Sequence, residues 1–177
     1  MTGAMEYGKA LFLITEEDGT TEKVMSDVKI ARAAFVSNPD YAKLLDTPAL
    51  PKEERIGLVD KAFSGLDGSL TNLIKIITEK RLSHEFTKIA DAYLALYDES
   101  RGILRVEAVT AIPITAEQNA LLVKKVSALT GKTAIIKNTV DPSILGGMKL
   151  RYSGTQLDGS IKTRLDKFEA ALRETVI

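Results

Sequence analysis

The chain has 177 residues, with 24 basic and 24 acidic side chains, one histidine and no cysteine. This balance leaves no cationic field for nucleic acid, so we expect no nucleic-acid binding, and the lack of cysteine excludes disulfides, thiolate metal sites and a cysteine nucleophile. The longest apolar run beside a helix, residues 92–97, is far shorter than the roughly 20 residues that span a bilayer, so we expect no direct membrane insertion.

Apolar residues in the first hundred positions recur at helical spacing, which predicts six helices up to about residue 100. The first helix has an apolar stripe of Tyr7, Leu11 and Ile14. Pro39 and Pro51 each suit the first turn of a later helix, because a missing backbone amide costs nothing there. In the other five helices, the apolar positions that we expect to face the core are Val24, Val28, Ala31 and Phe35; Tyr41, Leu44 and Leu45; Ile56, Val59 and Phe63; Leu70, Leu73, Ile74 and Ile77; and Phe86, Ile89, Ala90, Tyr93, Leu94 and Tyr97.

The hydrophobic period changes from helical to two-residue at Gly102, and the alternation over residues 104–112 predicts a strand. We therefore predict a boundary between a first domain, residues 1–102, and a second domain, residues 103–177. The fold class is α+β, with an N-terminal six-helix bundle followed by a small α/β C-terminal domain that ends in a helix.

The second domain is predicted to contain one internal helix between strands. Thr115 and Gln118 form a capping-box signature at its start, and Gly131 lies just past its end. We expect its inward positions to be Leu122, Val126 and Leu129. The elements predicted after it are strands at about 133–140 and 148–152, a hairpin turn at Ser153-Gly154 leading to Gln156 and Leu157, and a last helix that begins at Ser160 and bears the seam Ile161, Leu165, Phe168 and Leu172.

No group of residues on this chain pairs a nucleophile with a base and an orienting group, so we expect no catalytic activity, no cofactor and no metal. Gly131-Lys132-Thr133 resembles the end of a phosphate-binding loop, but Val126 stands where that motif needs glycine. The tripeptide also ends a helix, whereas a phosphate-binding loop begins one. His84, the one histidine, follows a predicted helix cap at Ser83 and is expected at the surface.

The C-terminal run from Asp141 to Leu165 resembles the signature of the delta subunit of F-type ATP synthase, a family that includes the mitochondrial oligomycin-sensitivity-conferring protein. The residues that match this signature are Gly146, Gly147, Asp158, Ser160, Arg164 and Leu165. Residues 7–12 resemble the opening motif of the family, and residues 72–74 with Arg81-Leu82 resemble its fifth-helix region. Relatives often have alanine in place of Gly8, and glycine weakens a helix by roughly 0.5–1 kcal/mol relative to alanine.

This resemblance implies a non-catalytic stator subunit of the peripheral stalk, which links the catalytic head to the membrane sector and resists rotor torque during ATP synthesis. The N-terminal domain would grip the N-terminal helices of alpha subunits, and the C-terminal domain would bind subunit b. Since residues 1–9 do not form a targeting signal, we expect a peripheral location on the cytoplasmic face of the cell membrane.

The resemblance assigns the alpha-binding groove to the first and fifth helices, and the chemistry of their side chains selects the contact residues. Small or apolar positions suit a partner helix. The predicted partner-binding residues are Tyr7, Ala10, Leu11, Ile14, Asn72 and Ile76. Leu11 and Ile14 suit the core of the bundle equally well, and that alternative stays open at this point.

The signature residues of the C-terminal domain are expected to be structural. Asp158 and Ser160 can accept hydrogen bonds from first-turn amides of the last helix, while Gly146 and Gly147 permit a close backbone approach. The last helix is the candidate for meeting subunit b, or it packs against its own sheet. Two other functions remain open, a free-standing adaptor that binds another amphipathic helix and a nucleotide-binding enzyme that depends on Lys132.

Overall fold

The computed structural model describes residues 3–152 and 155–159, and the elements predicted at 153–154 and from Ser160 onward lie outside them. Within those residues the protein is α+β, with seven α-helices, two short 3-10 helices and a four-stranded sheet of mixed direction. The chain divides into two compact units, with the boundary between Tyr97 and Asp98.

Six α-helices lie before or across this boundary, and their ends follow local sequence signals. Pro39 begins the third helix, as predicted, and the side chain of Asp67 caps the fifth by accepting a hydrogen bond from the Ser69 amide at 3.0 Å. A 3-10 turn, Ser83–Glu85, leads into the sixth helix. The bounds are α1, Gly3–Glu17; α2, Thr21–Ser37; α3, Pro39–Asp46; α4, Lys52–Phe63; α5, Gly68–Glu79; and α6, Phe86–Ser100.

The core of the first unit surrounds Phe35 of α2. Its ring centroid lies 4.5 Å from that of Phe86 and 5.8 Å from that of Phe63, which stacks on it. The predicted inward positions of α2 and α5 are all buried. Aromatic rings bury large apolar areas, so this cluster contributes to the packing of α2, α4 and α6 against one another.

Burial differs from the predicted pattern on α1 and α3. Leu44 is 43% exposed, so the prediction that it faces the core is wrong, and Ile14, for which the sequence left core and surface both open, is 48% exposed. The buried side of α1 is instead formed by Ala4, Gly8, Leu11, Phe12 and Thr15. This side includes small residues at helical spacing, and they let a neighbouring helix approach closely. Because small residues add little hydrophobic area, a search for large apolar side chains does not detect them.

The second unit contains a sheet in the order β2-β1-β3-β4. Helix α7 connects the parallel strands β1 and β2, and the β1–β3 and β3–β4 pairs are antiparallel. The capping box of Thr115 and Gln118 is confirmed, and Gly131 ends α7 with φ of 69° in the left-handed region. The bounds are β1, Ile103–Thr110; α7, Ala116–Thr130; β2, Thr133–Val140; β3, Met148–Tyr152; and β4, Thr155–Asp158, with a 3-10 turn at Pro142–Ile144.

Helix α7 lies against β2 with its apolar side only partly covered. Leu122 and Val126 are half-buried, whereas Leu129 is 87% exposed, so the prediction that Leu129 faces inward is wrong. The Ser127 hydroxyl accepts a hydrogen bond from the Ala134 amide at 3.0 Å and ties the end of the helix to β2. Leu129 lies two residues after Ser127, about 200° round the helix, so its side chain points away from this contact with β2.

Candidate partner-binding site

Helices α1 and α5 pack against each other in antiparallel directions. Near the start of α1, the Tyr7 ring lies under Lys80, whose Nζ is 5.6 Å from the ring centroid, and Lys80 directly follows α5. Near the other end, Lys23 in the first turn of α2, the helix that follows α1, has its Nζ 3.3 Å from the carboxylate of Asp67, the residue before α5. The contact of Tyr7 with Lys80 places the start of α1 beside the end of α5, as an antiparallel pair requires.

The exposed side of this helix pair contains five of the six residues predicted to bind a partner. On α1, Tyr7 is half-buried and Ala10 and Ile14 are exposed, at the three- and four-residue spacing of one helix face. On α5, Asn72 and Ile76 are exposed and lie one turn apart, with Ile76 45% exposed. We call these five residues the α1/α5 surface, and their role in binding stays a prediction.

Leu11 differs from the other five because it is only 3% exposed. It belongs to the buried side of α1, so it supports the α1/α5 surface from beneath and offers no area of its own in the free protein. The sequence left open whether Leu11 and Ile14 belong to the core or to the surface. In the structure Leu11 lies in the core and Ile14 lies at the surface.

Hydroxyl groups anchor the C-terminal end of α1. The Thr15 and Tyr93 hydroxyl oxygens lie 3.1 Å apart, and the Tyr93 hydroxyl also donates to the Thr21 carbonyl at 3.2 Å. Burial raises the pKa of Tyr93, so its phenol remains neutral and keeps its donor proton. This network joins α1, the start of α2 and α6, and it anchors α1 at the residue that follows Ile14.

Charges are arranged unequally at the two ends of the helix pair. At the end marked by Tyr7, Lys80 and Arg81 are both exposed, and the contact with Tyr7 raises the pKa of Lys80. At the opposite end, the last turn of α1 and the residue after it provide three exposed acids. These acids are Glu16, Glu17 and Asp18.

The glycine pair of the C-terminal signature forms a tight turn before β3. Gly147 has φ of 76°, which glycine adopts without strain, and the Gly146 amide donates to the Ile144 carbonyl at 2.7 Å. Asp158 forms a cross-strand ion pair of 3.1 Å with Lys149, a partner that the sequence interpretation missed. Its predicted bonds to the last helix, and the signature residues Ser160, Arg164 and Leu165, lie outside the described residues.

An apolar cleft of about 650 Å³ lies in the second unit beside α7. It is lined by the loop after β1, the N-terminal half of α7 and the loop before β3. Three of its large apolar side chains are exposed, namely Ile112 at 73%, Leu121 at 60% and Leu145 at 68%. Sequence reasoning missed this cleft because its residues come from three separate segments without a shared period.

The described residues contain no group of three histidine, cysteine, aspartate or glutamate side chains placed to hold a metal ion. Lys132 is exposed between the end of α7 and the start of β2, where helix amides do not converge. His84 is exposed and its Nδ1 lies 2.6 Å from an oxygen of Asp46. In the part of the chain that the structure describes, no helix is long and apolar enough to cross a bilayer.

Exposed apolar helix faces of this kind are typical of the class of protein that binds helical partners. The model of the family "ATP synthase delta (OSCP) subunit" matches residues 4–172. The chain belongs to this family. It is a non-catalytic peripheral-stalk subunit of the F-type ATP synthase, and it forms part of that membrane-associated complex.

Individual relatives agree with this assignment along nearly the whole chain. ATP synthase subunit delta of Clostridioides difficile is 31% identical over 175 residues, which cover 98% of this chain and 97% of the relative. The subunit delta of Azorhizobium caulinodans is 30% identical over 173 residues, covering 97% and 93%. A chain in the mitochondrial ATP synthase hexamer of Toxoplasma gondii shares the fold, with a TM-score of 0.79 at 22% identity over 97% of this chain and 98% of that one.

Proposed function

We propose that this subunit joins the catalytic head to the stalk by gripping a different helical partner with each of its domains. Residues 1–102 form a six-helix bundle that binds the N-terminal helical segments of alpha subunits. Residues 103–177 bind subunit b, and the protein resides peripherally on the cytoplasmic face of the cell membrane.

The observation that carries the alpha-binding part is the exposure of Ile14 and Ile76 on adjacent antiparallel helices. A stator joint must transmit torque without slipping, which requires slow dissociation, and apolar helix-in-groove contacts slow dissociation more than exposed ion pairs do. Ala10 lies between the larger side chains of α1, so a partner helix can approach the backbone there. The two isoleucines then serve as the apolar anchors of the contact.

The apolar cleft beside α7 supports the subunit b part of the proposal. Ile112, Leu121 and Leu145 expose large side chains around it, and such side chains are the usual anchors for an amphipathic helix. We propose that a helical segment of subunit b covers this cleft.

The alpha-binding part is tested by titrating the full chain with a peptide from the N-terminus of the alpha subunit. Ala10→Asp places a carboxylate on the α1/α5 surface, so we expect it to weaken binding at least tenfold, because the charge must be desolvated without a partner. Ala33→Asp is the matched control, since Ala33 is an exposed alanine on α2. Equal affinities for the two variants would contradict this assignment, and absence of binding by the unmodified chain would contradict the proposed function.

The subunit b part is tested by titration with the C-terminal segment of subunit b. Leu121→Lys alters the cleft and should weaken binding about tenfold, whereas Leu129→Lys introduces the same change on the same helix away from the cleft residues. A loss of affinity for Leu129→Lys alone would place the contact elsewhere on α7.

A further inference from the structure

We infer that the chain's own C-terminal segment, residues 160–177, covers the apolar cleft beside α7 in the free subunit, and that subunit b binds there only after it displaces this segment. The inference rests on the proposed binding of subunit b at the cleft. It adds the occupant of the cleft before assembly and the event that must precede binding.

The described part of the chain ends at the cleft itself. Gly159, the last described residue, lines the cleft, and its amide donates to the Met148 carbonyl at 3.0 Å. Met148 pairs with Thr110, the last residue of β1, after which the chain leads to α7. The C-terminal segment and α7 therefore begin at the same edge of the sheet, and no linker separates the segment from the cleft.

The sheet face that lies under α7 is only partly covered by the described residues. Leu104 and Ala108 of β1 are buried on this face. Cross-strand partners point to the same face, so Leu150 and Leu157, which pair with Ala108 and with each other, lie on it too. Leu157 is nevertheless 53% exposed, because α7 packs on β2 and β4 is at the opposite edge of the sheet. The apolar surface of the cleft therefore continues over β3 and β4.

The segment that follows Gly159 has an apolar side that suits this surface. The seam predicted from its sequence recurs at helical spacing and consists of Ile161, Leu165, Phe168 and Leu172. Folded monomers rarely leave large contiguous apolar patches open to water. A segment attached directly at the cleft also reaches it at an effective concentration of the order of millimolar. The chain's own seam is therefore the first apolar surface available to cover the cleft.

Subunit b must compete with this segment. The anchors that the cleft offers to an amphipathic helix are the exposed side chains of Ile112, Leu121 and Leu145. A helix that covers these side chains excludes a second helix from them. Binding of subunit b therefore costs the free energy that releases the segment, and this cost lowers the apparent affinity of the free subunit.

Coverage of the cleft is tested with pairs of cysteines in the full chain, which has no cysteine of its own. Leu121 lies five residues into α7, so Leu121→Cys is combined in turn with Ile161→Cys, Leu165→Cys or Phe168→Cys and exposed to oxidised glutathione. We expect at least one pair to form a disulfide, which requires Cα atoms within about 7 Å. Leu129→Cys with the same partners is the matched control and should form none. Failure of all three Leu121 pairs to cross-link would overturn the inference.

Competition is tested by titrating the cross-linked protein with the C-terminal segment of subunit b. The disulfide holds the chain's own segment in the cleft, so we expect binding at least tenfold weaker than after reduction of the same sample. Equal affinities before and after reduction would overturn the competition. Failure of the reduced protein and of the unmodified chain to bind the subunit b segment would instead contradict the proposed function, and the cross-links would still report who covers the cleft.

Charged substitutions in the segment provide a second measurement without a disulfide. Leu165→Asp with Phe168→Asp disrupts the apolar seam, so the free cleft should bind the subunit b segment several-fold more tightly than in the unmodified chain. Thr163→Asp with Ala170→Asp adds the same charges on the opposite side of the predicted helix and should leave the affinity unchanged. Weaker binding by the seam variant would overturn the inference, because the segment would then support subunit b and not compete with it.

Discussion

Gly8 of α1 and Ile89 of α6 lie so close that a β carbon on Gly8 would be 2.7 Å from the Ile89 carbonyl oxygen. The same β carbon would lie 2.7 Å from Cβ of Ala92. Both distances are well inside van der Waals contact, and the Ile89 carbonyl belongs to the backbone, which cannot rotate away as a side chain can. The missing side chain at residue 8 therefore sets how closely α1 packs on α6.

Gly8→Ala should destabilise the protein, although alanine favours an isolated helix by roughly 0.5–1 kcal/mol over glycine. The two clashes force α1 away from α6, and overpacking of this kind costs about 1–3 kcal/mol. Gly57→Ala is the matched control, because Gly57 lies inside α4 with no atom within 4 Å of an added Cβ, and it should stabilise the protein by about 0.5–1 kcal/mol. Urea denaturation followed by circular dichroism measures both, and stabilisation by both changes would show that α1 can shift freely.

Arg55 of α4 is a buried cation that joins the C-terminal ends of two other helices. It is 4% exposed, and its Nη1 donates to the Leu45 carbonyl at 3.0 Å and to the Thr78 carbonyl at 2.7 Å. These carbonyls lie in the last turns of α3 and α5, where the helix dipole favours a positive charge. Its Nε is buried and has no hydrogen-bond partner among the described groups.

Arg55→Met should lower the free energy of unfolding by about 2–4 kcal/mol, because it removes both donors and leaves carbonyl oxygens buried. Arg55→Lys keeps a cation on a single donor nitrogen and removes the unpartnered Nε, but its shorter side chain reaches the two carbonyl oxygens less well, so we expect a loss about half as large. The measurement is again urea denaturation of the full chain. A smaller loss for the methionine variant than for the lysine variant would mean that the aliphatic stem, and not the carbonyl contacts, stabilises this site.

Asp46 at the end of α3 holds the turn before α6 in place. Its carboxylate accepts hydrogen bonds from the amides of Ser83 and His84, at 2.8 and 3.0 Å, and lies 2.6 Å from His84 Nδ1. Burial acts to raise the pKa of this carboxyl, but these bonds together outweigh burial and hold the pKa below its ordinary value of 3.8.

Because the pKa of Asp46 is lower in the folded state than in the unfolded chain, ionised Asp46 stabilises the fold. This contribution is complete at pH values above the ordinary pKa of 3.8, and it is lost as the pH falls through the lowered pKa of the folded state. Asp46→Asn should therefore cost about 1–2 kcal/mol at pH 7, and this difference from the unmodified chain should shrink below about pH 4. Denaturation midpoints measured from pH 7 to pH 3 follow the difference. Asp40→Asn, at an exposed ion pair with Lys43, should show no measurable loss. A difference between Asp46→Asn and the unmodified chain that is constant with pH would contradict the role given to ionised Asp46.

The local signals that end helices and strands could be read from the sequence, because they depend on neighbouring residues alone. Thr115 with Gln118, and Pro39, are of this kind, and the structure confirms both. The burial of Arg55 and the close approach at Gly8 could not be predicted, since a cation and a glycine give no hydrophobic signal. Both depend on which helix lies opposite, and that relation arises only in the packed fold.

For the candidate site, the sequence predicted which helices lie together better than it predicted which of their side chains are exposed. Family resemblance indicated the first and fifth helices, which the structure places side by side. The apolar character of Leu11 and Ile14 could not distinguish core from surface, because both lie on the same half of α1. Their exposures of 3% and 48% make the distinction that hydrophobicity alone could not.

This difference predicts that Leu11 and Ile14 affect different properties of the protein. Leu11→Ala should lower the free energy of unfolding by about 2–5 kcal/mol, because it leaves a cavity between α1 and its neighbours. Ile14→Gln keeps a helix-favouring residue at an exposed position, so it should change stability by less than about 0.5 kcal/mol while weakening binding of the alpha segment about five- to tenfold. Denaturation and peptide titration of the same two samples measure both effects. If the Ile14→Gln protein binds the alpha segment with unchanged affinity, Ile14 does not belong to the binding surface. If its free energy of unfolding falls as much as that of Leu11→Ala, Ile14 belongs to the core.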